Sequence, residues 1–129
     1  MIVDASALIA VVLKEPGCEA FESALVDSSE NLISPVNRME VLMRLDALDG
    51  QWLVDKFNAL ASVFHLQTVP TDDVQLNLAQ DAFRSYGKGR HKAALNMGDC
   101  FAYALAKSKG APLLYKGKDF SQTDLESAL

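Results

Sequence analysis

The chain has 129 residues, the length of one domain, is 50% hydrophobic and 22% charged, and carries a net charge of −5. This balance excludes a disordered chain and argues against a module that holds nucleic acid through an overall positive field. It leaves room for an enzyme whose acidic site is neutralised by cations, and it favours a basic protein partner.

The opening residues MIVDAS set the first problem. Ile2 and Val3 begin an apolar run that resumes as ALIAVVL, yet Asp4 places a carboxylate inside it, where burial without a partner is costly. A cation, a helix N-terminus or a hydrogen-bonding turn would each account for an ionised Asp4. IVD reads as a strand, and Ser6 is placed to cap a helix through LIAVVL. The run has no basic leader and is cut at Lys14-Glu15-Pro16, so neither a signal peptide nor a membrane span is expected, and the protein reads as cytoplasmic.

Pro16 suits the first turn of a second helix, GCEAFESALV, and NLIS reads as the second strand. Pro35 opens the helix VNRMEVLMRLDAL, whose Val36, Met39, Leu42 and Leu45 recur at helical spacing until Asp49-Gly50 breaks it. QWLVDKFNALASVF is its expected antiparallel partner. The pair, containing Trp52 and Phe57, reads either as internal packing or as a docking surface. LQTV is the third strand, and TDDVQLNLAQDAFRSY is a helix ended by Gly87 and Gly89. After the basic loop GKGRHK, Gly98 precedes the helix DCFAYALAKSK, closed by Gly110, with Phe101 and Leu105 in the core and Tyr103 on its margin. APLLY is the fourth strand, and KGKDFSQTDLESAL ends the chain. With no linker, repeat or low-complexity tract, residues 1–129 read as one α/β domain, a mostly parallel sheet flanked by helices.

In such a sheet the carboxyl ends of the strands and the amino ends of the following helices share one edge, where ligand sites form. Asp4 ends the first strand, Asp99 begins a helix, Asp119 lies in the loop leaving the last strand, and Glu40 sits in the second turn of the helix opened by Pro35. Together at one rim, these four acids would repel and hold at least one proton unless a cation intervened. Carboxylates without histidine or thiolate partners suit hard cations, Mg²⁺ or Mn²⁺, and the chemistry such ions perform best is phosphodiester hydrolysis. Lys88, Arg90, His91 and Lys92, with Lys116 and Lys118, are placed to hold a nucleic-acid backbone across the acids.

Each acid also has a structural reading. Asp4 can cap a helix, Asp99 can complement a helix dipole, and Glu40 can pair with Arg44 or Asn37. Cys18 and Cys100 match no zinc spacing and read as reduced, packed residues, and His65 and His91 form no ligand pair.

Three segments carry a family resemblance: MIVDASALIAVVLKEPG, SPVNRMEVLMRL and ALNMGDCFAYALAKSKGAPLLYKGKDFSQTDL. With these the chain resembles the PIN-domain ribonucleases over essentially its whole length, most closely the VapC toxins of bacterial toxin-antitoxin pairs. The resemblance implies a three-layer PIN-like fold and a metal-dependent endoribonuclease whose acids fall on Asp4, Glu40 and Asp99. Asp4 and Asp99 would be direct Mg²⁺ ligands and Glu40 would complete the shell, with Mn²⁺ as a substitute. The family's small hydroxyl residue falls on Ser6, and Ser6, Arg90 and Lys116 are the side chains expected to meet RNA. The resemblance further implies a small cognate antitoxin that covers the site, and a homodimer.

One departure stands out. Many PIN domains carry the fourth acid two places before Asp119, where this chain has Gly117, so Asp119 is the expected replacement from the same loop. The main alternative is a PIN-like interaction protein with weak catalysis. A haloacid-dehalogenase-like phosphatase would need an acid where Ser6 stands, and a receiver-type phosphoacceptor would need paired early acids, which are missing.

Overall fold

Four short strands, β1 (Ile2–Val3), β2 (Asn31–Ile33), β3 (Leu66–Thr68) and β4 (Leu113–Leu114), form one parallel sheet in the order β3-β2-β1-β4. They belong to a computed structural model that describes residues 1–129. Ile2 lies opposite both Leu32 and Leu113, so β1 is central and its carboxyl end opens between two neighbours. The outer edge of β4 is covered: the Leu113 amide donates to the Glu126 carbonyl at 3.0 Å, and the Ala128 amide donates to the Leu113 carbonyl at 2.9 Å.

Side chains alternate across the strands and thereby define two cores. Val3, Ile33 and Leu114 face α1 (Ala5–Val12), α2 (Cys18–Asp27) and α3 (Pro35–Val63), meeting Leu8, Val11, Leu25, Val41, Leu45 and Phe57. Ile2, Leu32 and Leu113 face α4 (Asp73–Tyr86) and α5 (Met97–Lys109), meeting Ala82, Cys100 and Leu105. Burial on both faces explains why β1, β2 and β4 are nearly uninterrupted apolar residues, and it gives the three-layer arrangement expected from the sequence.

Within α3 the backbone leaves helical geometry at Asp49 (φ −148°, ψ 27°) and Gly50 (φ 59°, ψ −142°), as the Asp-Gly pair predicts. The Arg38 guanidinium lies 5.6 Å from the centroid of the Phe57 ring. A straight helix would separate these positions by roughly 28 Å at 1.5 Å per residue, so the halves fold back as antiparallel partners. The two aromatics then divide: Phe57 is fully buried, whereas Trp52 is 64% exposed.

Several boundaries differ from expectation. Pro16 precedes α2 instead of opening it, and Gly17, at φ 84°, is the N-cap, because the sharp exit from α1 needs a left-handed residue. α5 starts at Met97 with Asn96 as its cap, so Gly98 lies inside the first turn. Tyr103 is buried, while Phe101 lines a groove against α4. No helix is long and apolar enough to cross a membrane.

Candidate active site

Asp4, not Ser6, caps α1. Leaving β1 in an extended conformation (φ −82°, ψ 154°), it receives the Ser6 amide on Oδ2 at 3.0 Å and the Ser6 hydroxyl on the same oxygen at 2.5 Å. Asp is as good a cap as Ser, and the strand-to-helix turn puts the cap one residue after Val3. Ser6 becomes the second link instead: its Oγ accepts the Lys116 amide at 2.9 Å, tying the loop after β4 to the Asp4 carboxylate. Asp4 is only 4% exposed, and its Oδ1 has no hydrogen-bond partner. An ionised acid in that state is under-satisfied by design or by function. Burial drives its pKa up, the two Ser6 hydrogen bonds pull it down without cancelling the shift, and the Asp119 charge adds to the rise.

Glu40 arrives from α3. Its Oε2 accepts the Asn37 amide at 3.1 Å, and the same Asn37 nitrogen donates to the Gly98 carbonyl of α5 at 2.9 Å. Arg44 is not its partner: the ion pairs of the chain are Lys14–Glu22, Lys107–Asp124 and Lys116–Glu15. The Glu40 carboxylate presses so closely on α5 that a Cβ on Gly98 would stand 1.6 Å from Oε1. Burial raises the Glu40 pKa first, the Asn37 hydrogen bond lowers it, and the Asp4 charge raises it.

Asp99 is the third residue of α5 and closes a capping box with Asn96. The Asp99 amide donates to Asn96 Oδ1 at 2.9 Å, and the Asn96 amide donates to Asp99 Oδ2 at 3.0 Å. Burial, followed by the charges of Asp4, Asp119 and Glu40, pushes its pKa up to about 7 against the lowering Asn96 hydrogen bond. Asp4, Ser6, Glu40, Arg44, Asn96 and Asp99 share one cleft of about 500 Å³. The acids line it without closing into a set of three ligands.

The other expected site residues are placed differently. Asp119 is exposed at the start of a short 3₁₀ turn (Phe120–Gln122) and does not line the cleft, although its charge raises both Asp4 and Asp99. Lys116 contributes its backbone, while its ammonium is paired with Glu15. Arg90 lies over the Phe83 ring, 5.1 Å from its centroid, outside the cleft. The cation that does line the cleft is Arg44, one turn beyond Glu40. His91 is structural, accepting the Ala93 amide on Nδ1 at 3.0 Å and meeting Tyr86 edge-on. Burial pushes the Cys100 thiol up to about 11, so it offers no thiolate. Asn96 had no role in the sequence reading, and Gly98 was read only as the residue preceding the helix. The short stretch Asn96 to Asp99 held the signal, an Asn three residues before an Asp at a helix start.

The three acids therefore offer the cleft carboxylate oxygens, including a buried Asp4 oxygen without a partner, and no histidine or cysteine lines it, so this chemistry fits a hard divalent cation. The PIN domain family model matches residues 1–126. Ribonuclease VapC30 of Mycobacterium tuberculosis is 39% identical over 125 residues, covering 97% of this chain and 95% of the relative. A VapC ribonuclease of Rhizobium meliloti is 40% identical over 139 residues, covering 95% and 97%. The fold is shared with the crystal structure of M. tuberculosis VapC20, a sarcin-ricin loop cleaving toxin, at TM-score 0.75 and 15% identity over 96% of this chain and 95% of that one. The chain thus belongs to the PIN domain family and, within it, to the VapC ribonucleases.

Proposed function

We propose that the protein is a metal-dependent endoribonuclease, the toxin of a toxin-antitoxin pair, with Asp4, Glu40 and Asp99 as the acids that hold Mg²⁺ and Mn²⁺ as its substitute. The observation that carries this reading is the meeting of three carboxylates from β1–α1, α3 and α5 in one cleft, with no basic side chain paired to any of them. When bound, the cation supplies Lewis-acid stabilisation of phosphate charge and lowers the pKa of water.

The chain's own residues do the rest. Ser6 holds Asp4 Oδ2 and leaves Oδ1 for the ligand. Asn96 likewise occupies one oxygen of Asp99. Glu40 keeps Oε1 free of hydrogen bonds and is placed to take the proton of the attacking water. In-line attack on phosphorus then leaves a 5′-phosphate and a 3′-hydroxyl. Arg44 faces the same space and meets an RNA phosphate. Asp119 adds its negative charge from the neighbouring loop, raising Asp4 and Asp99, and is the proposed fourth acid of the site.

A small antitoxin with a basic side chain suits these uncompensated acids and the net charge of −5. A homodimer is the proposed assembly, checked by light scattering. The test of the reaction is sequencing of RNA ends after brief expression of wild type and Asp99→Asn. New 5′-phosphate ends confined to wild type support it; identical ends in both sink it.

A further inference from the structure

We propose that Asn37 is a positioning residue that locks the Glu40 carboxylate to the first turn of α5, so that Glu40 and Asp99 meet their ligand as one rigid unit. This rests on the reading of Glu40 as a ligand-binding acid given above. Asn37 is completely buried, and its side-chain hydrogen bonds go to the Glu40 carboxylate and to the backbone of α5. Its Nδ2 spends both protons, one on Glu40 Oε2 at 3.1 Å within the helix and one on the Gly98 carbonyl, 61 residues away in sequence, at 2.9 Å. Both neighbours are acceptors, so the amide orientation is fixed by chemistry, and Oδ1 is left buried without a partner.

A buried amide with one unsatisfied oxygen is an expensive way to join two helices, since an apolar side chain would pack without that cost. The expense is explained if the amide's task is to aim a carboxylate. Gly98 completes the clamp: only a residue without Cβ lets the Glu40 carboxylate lie against the α5 backbone on which Asp99 is mounted. Partners that orient ligating side chains typically contribute about 10–100-fold in metal affinity.

The test is calorimetric titration of the chelator-stripped full chain with Mn²⁺ alone, for wild type, Asn37→Ala, Glu40→Ala and the double variant. Asn37→Ala is expected to weaken Mn²⁺ binding roughly tenfold in the wild-type background and less than about twofold once Glu40 is absent. RNA cleavage at saturating metal is expected to show a lower kcat with unchanged KM. Equal weakening in both backgrounds, or none in either, overturns the proposal. Should Asn37→Ala lose its fold, Asn37→Ser, which retains a hydroxyl, carries the same comparison. Undiminished Mn²⁺ affinity in Glu40→Ala instead removes the reading of Glu40 as a ligand, a failure of the functional assignment and distinguishable from the first.

Discussion

Helix α5 meets acids at two places, and the two are opposites. Near its C-terminal half, Asp124 receives Lys107 Nζ at 2.9 Å and the Tyr103 hydroxyl at 2.7 Å, and these two hydrogen bonds, Lys107 first, hold its pKa below the ordinary carboxylate value. At its N-terminal turn, Asp99 has the Asn96 amide as its partner, and burial first, then the charges of three acids, raises its pKa to about 7. The first acid has its cation within the chain. The second has no paired cation, and its pKa, like those of Asp4 and Glu40, is raised first by burial and then by the charge of neighbouring acid. Where the fold needs only a tether it supplies a lysine; the cleft acids are left without an ion pair, which is the arrangement expected of a functional site.

The largest expected effect breaks the cleft alone. Asp4→Asn or Asp99→Asn should lower RNA cleavage at least about 100-fold, because losing a ligand exceeds the loss of an outer partner. The folded chain should survive. Removing one charge from a repelling group stabilises the metal-free protein, for Asp99→Asn by on the order of 1 kcal/mol once its partial exposure is allowed for. A melting temperature that falls instead would mean that Asp99 is held by the capping box more strongly than it is repelled.

Metal should act next in size. At a hundredfold excess over Kd, Mg²⁺ or Mn²⁺ stabilises by about 2.7 kcal/mol, a rise of roughly 8–12 °C in Tm that a chelator reverses. The shift should vanish in Asp99→Asn and persist in Asp124→Asn. A shift retained in both would move the cation elsewhere.

The pH dependence of metal-free stability separates the same two acids by sign. A raised folded pKa means that the native state holds its proton more tightly, so the Asp99 contribution is present below 3.8 and is lost as pH rises through about 7. For Asp124 the folded pKa is lowered, so its contribution is present above 3.8 and is lost as pH falls through the folded value. Denaturant titrations with a chelator between pH 4 and 8 should show declining stability with rising pH, and Asp99→Asn should flatten the decline. A wild-type curve that climbs over this range contradicts the uncompensated cleft.

Gly98→Ala sharpens the comparison from the backbone side. Alanine favours a helix by up to about 1 kcal/mol over glycine, yet its Cβ would displace the Glu40 carboxylate. Stability should change by less than about 1 kcal/mol while cleavage falls roughly tenfold. Unchanged activity would show that the close approach has no role.

Much of this contrast was legible in the chain, for identifiable reasons. Apolar strands, the helix over Val36 to Leu45 and the Asp49-Gly50 break are local signals, and each appears in the fold, although the face α3 buries there is Asn37, Val41 and Leu45 while Met39 is exposed. The convergence of Asp4, Glu40 and Asp99 follows from sheet topology, which alternating strands and helices announce. The polar partners were harder to read. Ser6 links Asp4 to Lys116 across 110 residues, and Asn37 reaches Gly98 across 61, distances at which periodicity carries no information. Arg90 and Lys116 were read from charge alone, which does not say whether a side chain is already engaged; Phe83 and Glu15 engage them.

The smallest expected effect tests the satisfied acid. In Asp124→Asn the amide oxygen can still accept from Tyr103, while the attraction to Lys107 disappears. Both charged groups are substantially exposed, so the loss should be no more than about 1 kcal/mol, and it should shrink further as salt is added. RNA cleavage should be unchanged, because this acid lies outside the cleft. Were Asp124→Asn to lower kcat as Asp99→Asn does, the division of α5 into a tethered end and a reactive end would be wrong. The Tyr103 side chain, which packs against Tyr86 and ties the C-terminal segment to the helix, would then be the route to follow between them.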